Sequence, residues 1–550
     1  MSKLRLWIAS NGYIDRAHSN LYSWFAQAGY QYKNTLLKAL YFGGREKTYQ
    51  SWYGLPEDLL KTNRTFNEAG TDGGRLEPPY KNQIDHYGQD YFQLLFSQYL
   101  PSHFNLNIGL FSTLGRGYYE EYKVDRNFNS YFENHDSIGI RTDLVRQRWL
   151  KNIFYGGTFA LNYEHQSIAA TLGGALSQYR SKHFGKVVWA ENINNLDVNA
   201  HYYDGSSTKN DFNVYGKFNY DLLHKINFYF DLQYRYVGYV TSGIDNDKNA
   251  YSVDKTWHFF NPKAGILYKI KPEHQVYASY GLAHREPNRD DLLAATISNP
   301  PHAEQMHNLE AGYKFLHRKF PLALNYFLMQ YKDQLVLTGR VNDVGNPIKE
   351  NVPVSYRTGF ELTGAINIYE QKVSRRLFAI NYSFSYSWNK IKSFDEYIYT
   401  YDENYSPVES LTLVINHQKT NISFSPAIVA ALELVAYPVK GLSISLMNKF
   451  VSRQYLDNTS NKMRSLKPFY YSNLNISYSI PLRQAGKEIS LKVLFNNIFN
   501  RHYESNGYTY SERYSYLDEH NALQVTDPAT YNYYFPQAGF NVLAGVSVRF

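Results

Sequence analysis

The sequence predicts an all-β fold, specifically a large antiparallel transmembrane β-barrel. Three observations carry this: period-two alternation along nearly the whole length, connections that alternate short and long, and many aromatic residues on a polar background. The connections imply about 20 strands, each able to cover the ~9–11 residues of a tilted spanning strand.

The alternation is clearest over residues 376–390. Phe378, Ile380, Tyr382, Phe384, Tyr386 and Trp388 alternate there with Ala379, Asn381, Ser383, Ser385, Ser387 and Asn389. One face is greasy while the other is small or polar, as a wall between lipid and water requires. The same pattern runs through Phe228, Phe230, Leu232, Tyr234 and Tyr236, and through Ile489, Leu491, Val493 and Phe495. Short links fall near 31–33, 99–103, 164–167, 221–225, 270–274, 316–320, 370–375, 437–441 and 481–487. Long ones fall between them, near 11–19, 45–88, 116–150, 180–210, 238–256, 283–304, 338–350, 393–417, 455–465 and 497–538. Tight turns on one side and long loops on the other are the asymmetry of an outer-membrane barrel. A soluble sandwich or propeller has no reason to keep its long loops on every second connection.

Composition agrees. The 550 residues include 54 Tyr and 33 Phe, yet mean hydropathy is −0.51. No run approaches the ~18 apolar residues of a spanning helix, which leaves a closed barrel as the spanning structure. The charge of +8 comes without a Lys/Arg run and predicts no nucleic-acid partner. Cys is absent, which excludes disulfides and thiolate metal sites. At the start, MSKLRLWIAS is too short in apolar residues for a secretory signal, so the chain is expected to begin partway through a longer product.

Catalysis finds no foothold. Asp290–Asp291 and Glu120–Glu121 read as solvated loop charges with no His or Ser beside them, and neither HExxH nor a Gly-rich phosphate loop occurs. The expectation is that the protein is not an enzyme. Asp245, Asp247 and Asp254 offer oxygen donors of the kind Ca²⁺ takes, but an acidic turn accounts for them and no metal site is assigned. No cofactor is expected.

Ligand contact is better placed. The 45–88 loop holds Tyr49, Trp52, Tyr53 and Arg64, and the 497–538 loop holds eight Tyr, Tyr508 and Tyr510 among them. Aromatic rings give large contact area and Arg pairs with anionic chelates. The same Tyr can pack loop against loop, and that alternative stays open for each residue.

The chain resembles the TonB-dependent receptors. The resemblance lies in VYASYGLAHREPNRDDLL (276–293), NPPHAEQMHNLEAGYKF (299–315), FLMQYKDQLVLTG (327–339), VPVSYRTGFELTG (352–364), NKFVSRQYLDNTSN (448–461), LKVLFNNIFNRHYESNGYTY (491–510) and PQAGFNVLAGVSVRF (536–550), in that order. NGYIDRAHSNLYSWFAQAGY (11–30) and GGREKTYQSWYGLPEDLLKTNRTFN (43–67) look like early strands and a loop of the subgroup handling iron complexes or cobalamin. The resemblance implies a 22-stranded barrel in the outer membrane that imports a ferric siderophore or cobalamin with energy from the TonB complex. It adds His284 and Arg285 as ligand contacts, and Phe550 as the terminal aromatic read by the barrel-assembly machinery. Residues 288–298 lack the His of haem-specific relatives, which argues against haem. Residues 1–550 read as barrel throughout, with the family's N-terminal plug and TonB box expected upstream. The other readings are a passive porin-like channel and a non-transporting barrel fragment.

Overall fold

In lipid no water is present to satisfy backbone N–H and C=O groups, so every wall strand must be paired on both sides. The computed structural model describes residues 12–132, 140–192, 200–293, 301–341, 347–369, 376–481 and 488–549. Twenty-three strands in it join one sheet. Pairing follows chain order: Ser19–Tyr32 on Thr35–Tyr49, then on Ile84–Leu100, Phe104–Asn127 and Arg141–His165. It continues in the same way as far as Arg376–Tyr401, then through Leu442–Val451, Phe469–Pro481 and Glu488–Asn496 to Asn541–Arg549. Residues 1–11 and Phe550 lie outside the described residues.

Two departures from a plain meander matter for the mouth. Leu413–Asn421 and Ile428–Ala436 share one wall position, pairing with the upper and lower halves of Arg376–Tyr401. Pro426 lies in the break, where it has no N–H to give a ladder. Glu504–Leu517, Leu523–Val525 and Ala529–Pro536 leave the wall and form a hairpin of their own. Among the described residues its ladder pairing with the wall is a short parallel contact of Tyr399–Tyr401 with Glu512–Tyr514.

Tight links sit where expected. Leu223 and His224, both with positive φ (52° and 56°), turn the chain between Leu222 and Ile226. Positive φ at two successive positions matches the twist of the flanking strands. The links expected at 370–375 and 481–487 fall largely outside the described residues.

The long link at 45–88 is observed as 50–83, but others are shorter than expected. Residues 116–127 and 141–150, expected as loop, are strand, in elements of 24 and 25 residues. So are 180–190 and 201–210, and the loop expected at 238–256 shrinks to 245–249. These strands exceed the ~9–11 residues needed to span, so their upper halves stand clear of the membrane.

A barrel wall has no central core. Outward side chains stay open, as with Leu176 at 63% and Leu232 at 54% exposed. Inward ones knit a polar lining. Arg235 reaches Asp211 at 2.5 Å and Glu286 at 2.9 Å, Lys209 reaches Glu286 at 2.6 Å, and Tyr277 donates to Asn325 at 2.8 Å. Apolar burial is concentrated in the upper structure. One cluster joins Phe128, Phe132, Leu144, Val187, Ala190 and Tyr202 between neighbouring strand tips. Another joins Leu456, Leu466 and Tyr534, with Leu60 and Phe424 against it.

Phe384, 43% exposed, lies on the outward face and Ser385 on the lumen face of the same strand. Phe384→Arg is expected to cost about 2–4 kcal/mol at mid-depth, and Ser385→Arg to be tolerated. Denaturant titration of folding into lipid vesicles checks this; equal effects would show the faces to be misassigned.

Candidate functional site at the barrel mouth

Two segments expected to hold ligand contacts, far apart in sequence, meet over the lumen. Residues 50–83 leave the wall after Tyr49, pass through a short helix, Glu57–Thr62, and return at Ile84. The hairpin 504–536 leans in from the other direction. Leu55 and Tyr534 exchange both main-chain hydrogen bonds at 2.8 Å. Arg64 donates to the Tyr503 carbonyl at 2.9 Å, across 439 residues, and pairs with Glu504 at 2.6 Å. Gly54 permits the approach: a Cβ there would lie 2.9 Å from Tyr533 Cβ and 3.0 Å from Tyr508 Cε1.

The base of the 50–83 segment is tied to the protruding strands. Gln50 donates to the Ile84 and Glu120 carbonyls at 3.1 and 3.2 Å. Glu120 accepts from Tyr80 and Gln147, each at 2.7 Å. Glu121 pairs with Arg146 at 2.7 Å and Lys123 at 3.3 Å. This corrects the reading of Glu120–Glu121 as solvated: both are buried. Asp72 accepts from Val124 N–H and Arg126, each at 2.9 Å. Burial alone would raise its carboxyl. The Val124 N–H, Lys123 and Arg126 outweigh burial and hold it below the usual carboxylate range.

The expected contact residues now have places. Tyr49 is buried, its hydroxyl donating to the Tyr80 carbonyl at 2.8 Å beneath Arg16, so its ring supports the loop. Trp52 packs edge-on against Tyr119 at 5.0 Å. Tyr53 keeps 41% of its surface exposed; the burial of the remainder, then the charges of Glu121, Glu68 and Asp72, push its phenol up to about 12. Tyr508 stacks on Tyr533 at 4.8 Å, and Tyr510 on Tyr531 at 5.3 Å. Tyr510 also lines a cavity of about 80 Å³ with Glu396, Asp457, Asn458 and Arg464. Arg464 there bridges Asp457 at 2.9 Å and Glu396 at 2.5 Å.

His284 and Arg285 have separate partners. The ladder between Ala250–Lys271 and His274–Arg285 ends at the Lys263–Gly281 pair, next to Pro262. Beyond the split, His284 lies 2.9 Å from Asn261 Oδ1 and stacks on Phe259, while Arg285 pairs with Glu304 at 3.0 Å. Asp291, read as solvated, is instead buried: it accepts from Asn288 N–H at 2.9 Å and pairs with Lys349 at 3.3 Å, while Asp245 accepts from Asp247 and Asn249 N–H at 2.9 and 2.8 Å. Among the described residues no group of three His, Asp or Glu side chains is placed to hold a metal ion.

Sequence reasoning missed the aromatic-cationic row beside Trp52. Tyr119 stands opposite Arg148 in the ladder, and the Arg148 guanidinium lies 5.4 Å from the Tyr119 ring and 5.7 Å from that of Tyr203. No local pattern marked it, because Tyr118, Tyr119, Glu120 and Glu121 do not alternate in polarity.

The fold and mouth define a membrane-spanning β-barrel whose opening is bridged by aromatic segments. The family described as "TonB dependent receptor-like, beta-barrel" matches residues 23–500, and the chain belongs to it. Receptors of this family are outer-membrane transporters that work with TonB and bind ferric chelates; they are not enzymes. The siderophore receptor PiuA from Acinetobacter baumannii is similar over 98% of this chain and 75% of its own, at 12% identity and a TM-score of 0.66. The ferric-catecholate import receptor Fiu from E. coli, in closed form, is similar over 98% and 76%, at 12% identity and a TM-score of 0.64. The copper transporter OprC gives 98% and 74%, 12% identity and 0.65. At such identities the likeness is one of fold. No curated protein matches the sequence.

Two tests follow from the clamp. Removing one partner of a largely buried ion pair costs about 3–5 kcal/mol, so Arg64→Ala is expected to free the 50–83 segment from the hairpin. Hydrogen exchange should rise there while the wall strands stay protected. Asp72's lowered pKa stabilises loop docking above the unfolded value near ~3.9, and that contribution is lost as pH falls through the folded value. Exchange at Val124 N–H is therefore expected to rise on acidification below about pH 4, and Asp72→Asn to abolish the step.

Proposed function

We propose that the protein imports a metal chelate, a ferric siderophore or cobalamin, across the outer membrane with energy supplied through TonB. The observation that supports this reading is the bridged mouth. The Leu55–Tyr534 pair and the Arg64–Glu504 clamp hold Trp52, Tyr53, Tyr508 and Tyr510 over the lumen. A passive channel gains nothing from bridging its opening with rigid aromatic surface. A receptor gains contact area at low entropic cost, and Tyr53 adds a phenol that stays protonated. His284 and Arg285, at the foot of the loop after residue 285, serve the same ligand from a second position. The barrel-assembly machinery and outer-membrane lipid are the remaining partners, the former reading the terminal aromatic Phe550.

Accumulation of ferric chelates and of labelled cobalamin in cells lacking their own receptors tests this. Uptake is expected for one class and to vanish when TonB is deleted. Tyr53→Ala and Tyr508→Ala are each expected to raise the half-saturating concentration about tenfold, the effect of a buried aromatic contact. Undiminished uptake without TonB would favour the passive channel.

A further inference from the structure

Period-two geometry assigns every wall side chain to the lumen or the outside, and it distributes the outer cations unevenly. In one register row Arg45 stands opposite Gly88, Gly88 opposite Arg116, Arg116 opposite Lys151 and Lys151 opposite Lys182. These positions share parity with the outward Tyr41, Leu110, Leu114, Leu172 and Leu176, so the row faces outward at the top of the apolar band. The row above it is aromatic. His86, Tyr118, Trp149 and Phe184 stand opposite one another, with successive ring separations of 5.5, 4.6 and 5.9 Å. Arg116 lies 5.1 Å from the Trp149 ring and Lys151 5.2 Å from that of Phe184.

Like charges directly opposite each other on a sheet are destabilising, yet Arg116, Lys151 and Lys182 are consecutive across two ladders. The carboxylates nearby are engaged: Asp90 by Arg45 at 2.7 Å and Asp204 by His201 at 2.6 Å. Among the described residues no carboxylate lies within ion-pair distance of these three cations. On the far side of the barrel Lys332, opposite Val354, and Lys390, opposite Tyr356, also face outward, with Lys392 two residues beyond Lys390 on the same strand and the strand Pro347–Tyr369 between them and Lys332.

We propose that this row is a docking surface for a phosphate-bearing lipid headgroup in the leaflet on the long-loop side. The phosphate sits among Arg116, Lys151 and Lys182, and the acyl chains lie along Leu110, Leu114 and Leu176 below. Continuity of the cation row with the apolar band identifies the occupant as a lipid rather than a free anion. The proposal rests on the barrel standing in lipid and not on what it transports, so failure of the uptake experiment leaves it standing.

The test uses the purified protein in phosphatidylcholine nanodiscs doped with phosphatidic acid or with diacylglycerol of the same acyl chains. Lipid retained through delipidation is counted by native mass spectrometry. The wild type is expected to retain phosphatidic acid and release diacylglycerol. Lys151→Gln with Lys182→Gln is expected to weaken retention about thirtyfold, from about fivefold per cation at an anionic surface. Lys332→Gln with Lys390→Gln removes the same charge and is expected to change nothing. Equal loss in both double variants would overturn the proposal. So would equal retention of the two lipids by the wild type, which decides the matter even if the first variant fails to fold. Complete displacement by inorganic phosphate would show a free-anion site and overturn it as well.

Discussion

Everything in this molecule depends on pairing the backbone where no water can do so. A wall strand in hydrocarbon must give each N–H and C=O to a neighbour, and the antiparallel ladders do this in chain order between Ser19–Tyr32 and Asn541–Arg549, which have one partner each among the described residues. No helix among the described residues is long and apolar enough to cross instead. Once the ladder is obligatory, side chains must alternate between lipid and lumen. The charges that would be costly in lipid are therefore turned inward, where Arg235, Asp211, Lys209 and Glu286 neutralise one another.

The wall fixes position but leaves shape at the mouth to other forces. Above the membrane, water returns and ordinary folding rules apply: small apolar clusters form, and carboxylates find cations or N–H groups. Phe128, Leu144 and Val187 bury themselves between strand tips, and Leu456, Leu466 and Tyr534 do so beneath the hairpin. These clusters and the Arg64–Glu504 pair make the mouth a folded structure rather than a set of free loops. Preorganised aromatic surface binds with less loss of side-chain freedom than a mobile loop does, which ties the packing of the upper structure to recognition.

What the sequence disclosed follows from this division. The alternation from Phe378 to Trp388 was legible because lipid imposes it directly, and so were turns such as 223–225, because the register allows few residues there. The upper halves of Phe104–Asn127 and Arg141–His165 were not. Above the membrane both faces of a strand meet water or other loops, so Tyr118, Tyr119, Glu120 and Glu121 no longer alternate in polarity and read as loop. The same blindness hid the site. Tyr119 meets Arg148 only if the strands continue, and Arg64 meets Tyr503 across 439 residues that no local pattern links. The aromatic content of the two loops marked where to look, while the distinction between Tyr49 as support and Tyr53 as open surface needed the fold.

The same alternation explains why the outer cations carry information. Lumen charges are free to vary as long as partners vary with them, because the lining is polar throughout. An outward position at the edge of the apolar band has no such latitude: a cation there lies between hydrocarbon and water, with aromatic rings or headgroups as its neighbours. Three consecutive cations in one register row repel one another, and rings such as Trp149 and Phe184 offset this only in part. The arrangement is stable where an anion of the surrounding leaflet completes it. The lipid face is therefore chemically specific over the sector from Arg45 to Lys182, and the barrel is asymmetric around its circumference as well as from end to end.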